Sequence, residues 1–349
     1  MTRTAGRPAR LAVVGGGVAG ALLAWRAAGS QGGASVDLFT DGAGERADAS
    51  RVSGGLVRGF EPTAASAGPA AESLAEIRGS DTLRAWSRYR ETGALYVLPG
   101  KTAVREPVDV VEAHLPGSAE VVGGEWVSRA FPFRELPQDA VAVVERHAGH
   151  ISPHALRAAA LRAAAEAGAT VRTPAVAAVT RDPGVRTADG RTLRYDRVVV
   201  AAGAWTPGLL ARSGVAAAGL RTKHIQYSLC RTRLAGLGSF VDENSGLYGR
   251  PWADGTFLLG LPSDRWGVDP DGVSPDAGLA RRLADSAARV FGTEVAVGRT
   301  VAASDCYHDP AGLQLRSLGG GLHTFTGGSG GAAKTVVAAS RKAAAALSD

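Results

Sequence analysis

The sequence predicts a two-domain α/β chain, in which a doubly wound parallel sheet is interleaved with a domain built on an antiparallel sheet. Three observations carry that reading. The apolar run Leu11-Ala12-Val13-Val14 breaks into Gly15-Gly16-Gly17-Val18-Ala19-Gly20 and resumes as the helical run Ala21-Leu22-Leu23-Ala24-Trp25. This is a G-x-G-x-x-G placed between a strand and a helix, the context in which the pattern is informative. Far downstream, a second buried strand from Tyr195 to Ala201 runs into the small residues Ala202-Gly203-Ala204 and then Trp205. Between His224 and Leu261 the texture changes to short alternating strands separated by turn residues.

In the first motif, Gly15 allows the tight turn, Gly17 lets a pyrophosphate approach the backbone, and Gly20 lets helix and strand pack closely. The first N–H groups of the helix, at Val18 and Ala19, then face phosphate oxygens with the positive end of the dipole. A dinucleotide is the ligand this arrangement suits. Arg3, Arg7 and Arg10 ahead of an apolar stretch imitate a secretory signal. Four glycines between positions 15 and 20 make a poor apolar helix, so a cytoplasmic protein is expected.

Val36 to Thr40 reads as the next strand of a βαβ unit. An acidic residue is usual near its end, about 20 residues past the glycines, to bond a ribose hydroxyl. Strand parity points to Thr40, with Asp41 next. The following stretch, Ala49-Ser50-Arg51-Val52-Ser53-Gly54-Gly55-Leu56-Val57-Arg58, is small and glycine-rich. It suits either close backbone approach to a flat ring or phosphate, or a surface loop.

Ala64 to Glu91 has helical spacing through Leu74, Ile77, Leu83, Trp86 and Tyr89, and Gly93 to Gly100 reads as a strand ending in a turn. Residues 101–148 show only short mixed segments. Pro153 to Ala167 predicts a helix, with Ser152 as its cap, Pro153 in its first position and Gly168 as its stop. A strand near Thr170-Val171 and a hairpin through Asp189-Gly190 lead to the second strand-to-small-residue junction. The alternating region then gives His224–Leu229, Leu247–Arg250 and Thr256–Gly260, with Asp254-Gly255 as a turn signal. A helix from Ala277 to Phe291 precedes Cys306-Tyr307-His308-Asp309-Pro310. The chain continues through Leu322–Thr326 and the turn Gly327-Gly328-Ser329-Gly330-Gly331 into a helix over 332–347. On this reading residues 1–62, 146–218 and 300–349 form the dinucleotide-binding domain, and 63–145 with 219–299 the substrate domain.

Composition sets limits on the partners. The 349 residues carry a net charge of +6, but the arginines are scattered and no basic block alternates with aromatics, so no nucleic-acid partner is expected. No apolar run reaches the roughly 18 residues a membrane span needs. Cys230 and Cys306 are the only cysteines, which fits a reducing compartment. The histidines show no metal-ligand spacing, so no metal is expected.

Taken together, these stretches resemble the FAD-dependent amine and amino-acid oxidase family, which includes D-amino acid, glycine and sarcosine oxidases. The residues that carry the resemblance are Gly15 to Gly20, Ala49-Ser50 with Gly54-Gly55, Gly149-His150-Ile151-Ser152-Pro153, Asp196 through Ala202-Gly203-Ala204-Trp205, and the terminal glycine turn. The resemblance implies FAD as cofactor and oxidation of a C–N bond to an imine by hydride transfer to flavin N5. The substrate would be an amino acid or secondary amine, and the acceptor molecular oxygen or another oxidant. Within the family it points to the sarcosine oxidase branch. Gly328-Ser329-Gly330-Gly331 with Lys334 resembles that branch's glycine turn and carboxylate-binding lysine. Arg58 stands where the branch places an active-site arginine, while the motif's first arginine is replaced by Gly55.

Cys306 stands where the branch links a cysteine to the flavin, which leaves two states for it: a thioether to FAD, or a buried thiol. Leu258 occupies the position of a lysine that promotes reaction with oxygen, and no arginine clamps a carboxylate at Cys306-Tyr307. His224, Tyr248 and Arg250, on the alternating strands, are candidates for shaping the pocket or holding the amine. Two further chemistries share these features: a flavin monooxygenase of the same nucleotide fold, and a flavoprotein dehydrogenase or relay subunit that does not use oxygen.

Overall fold

The computed structural model describes residues 8–30, 34–40, 48–217, 219–253 and 255–348. Asp41, Asp254, Arg3 and Arg7 therefore lie outside the described residues. The first motif builds the centre of a six-stranded sheet. Its strands run, across the sheet, Gln314–Gly319, Leu322–Thr326, Arg197–Val200, Arg10–Val14, Ser35–Phe39 and Thr170–Arg172. The last five are parallel, and only the edge strand Gln314–Gly319 returns as a hairpin. Val13, Leu38, Val198, Val199 and Val200 are wholly buried, as a sheet covered on both faces requires.

Registers bring the C-terminal ends into line: Val14 pairs with Phe39 on one side and Val200 on the other, and Val200 with Thr324. The helices Val18–Ala28 and Ala332–Ser348 leave this edge, where ligands of open α/β sheets bind. Gly15 adopts φ +117°, and a Cβ there would lie 2.5 Å from the Ala201 carbonyl oxygen. At Gly20 a Cβ would lie 1.9 Å from the Gly15 carbonyl oxygen. The motif's glycines are thus required by two close backbone approaches.

The second sheet has eight strands, in the order Ala296–His308, Leu220–Arg231, Thr256–Gly260, Tyr248–Pro251, Ser239–Asp242, Ala94–Leu98, Val141–Glu145 and Ala119–Gly123. Along Leu220–Arg231 the even residues His224, Gln226, Ser228 and Cys230 are buried. Lys223, Ile225 and Tyr227 alternate with them and are half-buried. The buried face is covered by the helix Ala277–Phe291, whose capping residue Asp276 exchanges two hydrogen bonds with the Gln226 amide, at 2.6 and 2.9 Å. The other face looks into the site described below.

Two sequence assignments shift. The predicted helix 64–91 is two helices, Ala64–Gly79 and Asp81–Ser87, because the Ser80 hydroxyl accepts the Leu83 N–H and caps a fresh start. The first packs against Ala332–Ser348 and Arg105–His114, in a core cluster that takes in residues of both sheets. The strand Ala296–His308 pairs along Leu220–Arg231 to its end, which places residues 300–308 in the antiparallel sheet. Among the described residues no helix is long and apolar enough to cross a membrane.

Candidate active site

Two adjoining cavities open at the carboxyl edge of the parallel sheet. The narrower, about 260 Å³, is lined by Gly15, Gly17, Val18, Ala19, Thr40, Ser50, Ala202, Gly203, Trp205 and Gly328. The wider, about 610 Å³, lies over the antiparallel sheet. Its lining includes Gly54, Gly55, Arg58, Tyr96, Lys223, Tyr227, Glu243, Tyr248, Tyr307, Gly330 and Lys334. Val18, Ala49, Ser50, Asp305 and Ala332 line both, so the two cavities lie side by side between the glycine motif and the sheet face.

The narrow arm is built for a nucleotide. Ser50 accepts the Val18 N–H at 3.0 Å and so holds its loop against the start of the first helix. Thr40 is buried, and its hydroxyl has no hydrogen-bond partner in the protein. A buried polar atom without a partner carries a desolvation cost, and a ribose hydroxyl in this cavity would relieve it. The residues present therefore fit the dinucleotide that the sequence motif implies.

The turn at residues 327–331 is fixed from the neighbouring strand. Asp305 accepts the Gly330 N–H at 2.9 Å and the Cys306 N–H at 2.8 Å. Burial raises its carboxyl above the usual range despite those donors. Ser329, at φ +50°, accepts the His308 N–H through its hydroxyl at 3.1 Å. Gly330 leaves room for Tyr307, whose hydroxyl would lie 3.0 Å from a Cβ there.

Arg58 and Lys334 converge on the wide cavity, but neither is a free cation. Both pair with Glu61, Arg58 at 2.7 Å and Lys334 at 2.6 Å, and all three side chains are no more than 15% exposed. Burial pushes Glu61 up, yet the two cations hold its carboxyl below the usual carboxylate value. Burial, then the Arg58 charge, pull the Lys334 amine down to about 8, against the opposing pull of Glu61. Arg58 also lies over the Tyr96 ring at 4.9 Å, and the Tyr96 hydroxyl donates to Glu243 at 2.6 Å. The segment bearing Arg58 and Glu61 is pinned from below by Glu145, which accepts the Gly59 and Phe60 N–H groups at 2.8 and 2.9 Å. Glu145 is raised by complete burial.

The strand candidates divide. Tyr248 lines the cavity, and its ring fills the space over Gly260, where a Cβ would lie 2.1 Å from the ring. Its hydroxyl donates to the Gln226 carbonyl at 3.1 Å, and burial pushes it up to about 12. Arg250 lines neither cavity. Its guanidinium donates to the Gly54 and Pro251 carbonyls at 2.5 and 2.8 Å and stacks 4.2 Å from Trp252, bracing the Gly54 loop. Burial lowers it to about 10. His224 borders the cavity, but its ring is wholly buried on the far face of its strand, with Nε2 3.2 Å from the Ser274 carbonyl.

Cys306 also lies outside the lining. Asp305 and Tyr307 line the wide cavity, while the intervening Cys306 is buried and lines neither cavity. It lies beside Thr326, raised by burial to about 11. Gly20 and Gly331 work from behind the lining, the first in backbone packing and the second through its carbonyl at the start of the last helix. Residues that sequence reasoning missed are Glu61, Tyr96, Lys223, Glu243 and Asp305. Only the alternation in Leu220–Arg231 carried a usable signal, by setting Lys223 opposite in face to His224.

Residues 10–346 match the family model described as DAO, FAD dependent oxidoreductase. A search of curated protein sequences returned no significant match. Among solved structures, L-proline dehydrogenase from P. horikoshii superposes with a TM-score of 0.81 at 17% identity, over 98% of this chain and 93% of that one. Iminodiacetate oxidase from Chelativorans sp. BNC1 gives 0.73 at 19%, covering 97% and 95%. Glycine oxidase from Geobacillus kaustophilus gives 0.73 at 21%, covering 96% and 93%. At these identities the likeness is one of fold.

Proposed function

The chain belongs to the family of FAD-dependent oxidoreductases, and from that premise we propose that it oxidises the C–N bond of an amino acid or secondary amine. The observation that carries the proposal is the pair of adjoining cavities, a nucleotide arm beside a chamber bearing Arg58, Lys334, Tyr248 and Glu243. Gly15 to Ala19, Thr40 and Ser50 would hold the nucleotide half of FAD, and the Gly327–Gly331 turn would border its ring. Bound FAD supplies the hydride acceptor.

The chain's own residues supply alignment and charge. Arg58 and Lys334, sharing Glu61, present one net positive charge to a substrate carboxylate. Glu243, held by Tyr96, is the cavity carboxylate placed to receive an ammonium group. Tyr96 stands between Arg58 and Glu243, and Tyr248 lines the chamber from the Gly260 side. Such positioning converts a weak encounter into a reactive geometry.

The acceptor is a separate matter. Leu258 is wholly buried and puts no charge where the resemblance expects a lysine. Arg250, its partner across the strand pair, is taken up by backbone carbonyls. We therefore read the acceptor as one other than dioxygen. The test is anaerobic titration of the FAD-loaded protein with a panel of amino acids and secondary amines. Bleaching of the visible band by one of them supports C–N oxidation, and a band that no amine bleaches overturns it. Reoxidation by air as fast as by a redox dye would sink the assignment of the acceptor.

A further inference from the structure

We propose that Lys223 is a second anion anchor in the substrate chamber, so that the preferred substrate carries an oxyanion distal to the reacting nitrogen. This rests on the C–N oxidation reading and narrows it. Arg58 and Lys334 are both committed to Glu61. Lys223 lines the same chamber and has no carboxylate within ion-pair distance among the described residues. What surrounds its ammonium is aromatic: the Trp266 ring at 4.6 Å and the Tyr307 ring at 5.4 Å, themselves edge-to-face at 5.0 Å. Ring faces attract a cation without cancelling its charge. The ammonium therefore keeps its capacity to bind an anion.

The setting is rigid. Trp266 is held against the strand by the His224 N–H to the Arg265 carbonyl at 2.9 Å and the Gly267 N–H to the Thr222 carbonyl at 2.9 Å. The Thr222 hydroxyl donates to the Val268 carbonyl at 2.7 Å. Asp305, the residue paired with Lys223 across the strands, spends both carboxylate oxygens on the Cys306 and Gly330 N–H groups. Arg221 stacks on the other side of Trp266 at 4.4 Å, which makes this rim of the chamber cationic.

Lys223 also stands on a different strand from the ring on which Arg58 stacks. Tyr227, Gly260, Tyr248, Val241 and Tyr96 lie in one register row across five strands. Arg58 stacks on the Tyr96 end of that row, about 19 Å of backbone from the strand of Lys223 at the usual strand spacing. A molecule with an anionic tail can span the two positions.

The test uses the FAD-loaded protein and reads binding from the perturbed visible band and from tryptophan fluorescence. The probes are α,ω-dicarboxylates from succinate to sebacate, monocarboxylates of matched length, and ω-phosphonocarboxylates. One chain length should bind roughly tenfold to a hundredfold tighter than its monocarboxylate, the size expected of a charged hydrogen bond. Lys223→Met should erase that gain and leave monocarboxylate affinity unchanged, while Lys223→Arg retains it. The carboxylate and phosphonate arms show which oxyanion is preferred. No length advantage, or an advantage that survives in Lys223→Met, overturns the proposal. Amines that still bleach the flavin in that case leave the C–N oxidation reading standing.

Discussion

Glu61→Gln tests the charge arrangement that dominates the chamber. In the native protein Arg58, Lys334 and Glu61 sum to one positive charge, at contacts of 2.7 and 2.6 Å. Removing the carboxylate leaves two poorly solvated cations side by side. Breaking a buried pair from one side costs about 3–5 kcal/mol, and the glutamine carbonyl, which still accepts one hydrogen bond, places this variant near the lower end. Anion affinity moves the other way. A ligand carboxylate seated about 5 Å from Glu61 is repelled by about 3 kcal/mol at an effective dielectric of about 20. Loss of that repulsion is worth a factor of about 100 in affinity. Glu61→Gln should therefore unfold at lower denaturant, bind acetate about 100-fold tighter in a visible-band titration, and be restabilised by acetate more than the native protein is. Equal acetate affinity in the two proteins would refute the view that Glu61 competes with the substrate.

Three further outcomes follow from the same geometry. Because Lys334 titrates near 8 rather than 10.5, kcat/KM for a carboxylate substrate should fall above about pH 8, and Lys334→Arg should flatten the profile. The linked stability term has the opposite sign: between about 8 and 10.5 the unfolded chain binds more protons than the fold, so stability from this group rises with pH. Denaturant midpoints of the native protein and Lys334→Met across that range would reveal it. FAD should leave the protein on acid precipitation, and Cys306→Ala should retain as much flavin as the native chain, since the buried thiol lines neither cavity; yellow protein in the pellet would contradict this. Gly20→Ala forces a Cβ to 1.9 Å from the Gly15 carbonyl oxygen. It should cost about 3 kcal/mol in the denaturation midpoint and lower FAD content with it.

The nucleotide half was legible because its glycines answer to steric demands that any sequence must meet locally. A strand, a turn at φ +117° and a helix packed at carbonyl distance leave no other residue type at Gly15 or Gly20. The helix at Pro153–Glu166 was legible through its cap, since Ser152 accepts the N–H three residues on; Asp276 caps Ala277–Phe291 in the same way. Residues 101–148 resisted reading for a physical reason. Their strand Ala119–Gly123 is a sheet edge with no buried residue, so it lacks the alternation that one buried face imposes.

The candidate site was legible by position but not by availability. Resemblance placed Arg58, Lys334 and Cys306 at meaningful addresses, and the fold does bring Arg58 and Lys334 together. Two further conditions decide what such residues can do, and neither is a property of a motif. One is side-chain placement: Asp305 and Tyr307 line the wide cavity, while Cys306 between them is buried and lines neither. The other is charge balance. A buried cation needs a partner, and Glu61 supplies one for two cations at once, which no local pattern around Lys334 announces. Lys223 is the converse case, a cation set against two rings, whose cross-strand acid Asp305 is bonded to backbone N–H groups. The residue that motif matching selects as the anchor is thus already neutralised in part, while an unmarked lysine on an alternating strand retains its charge for a ligand.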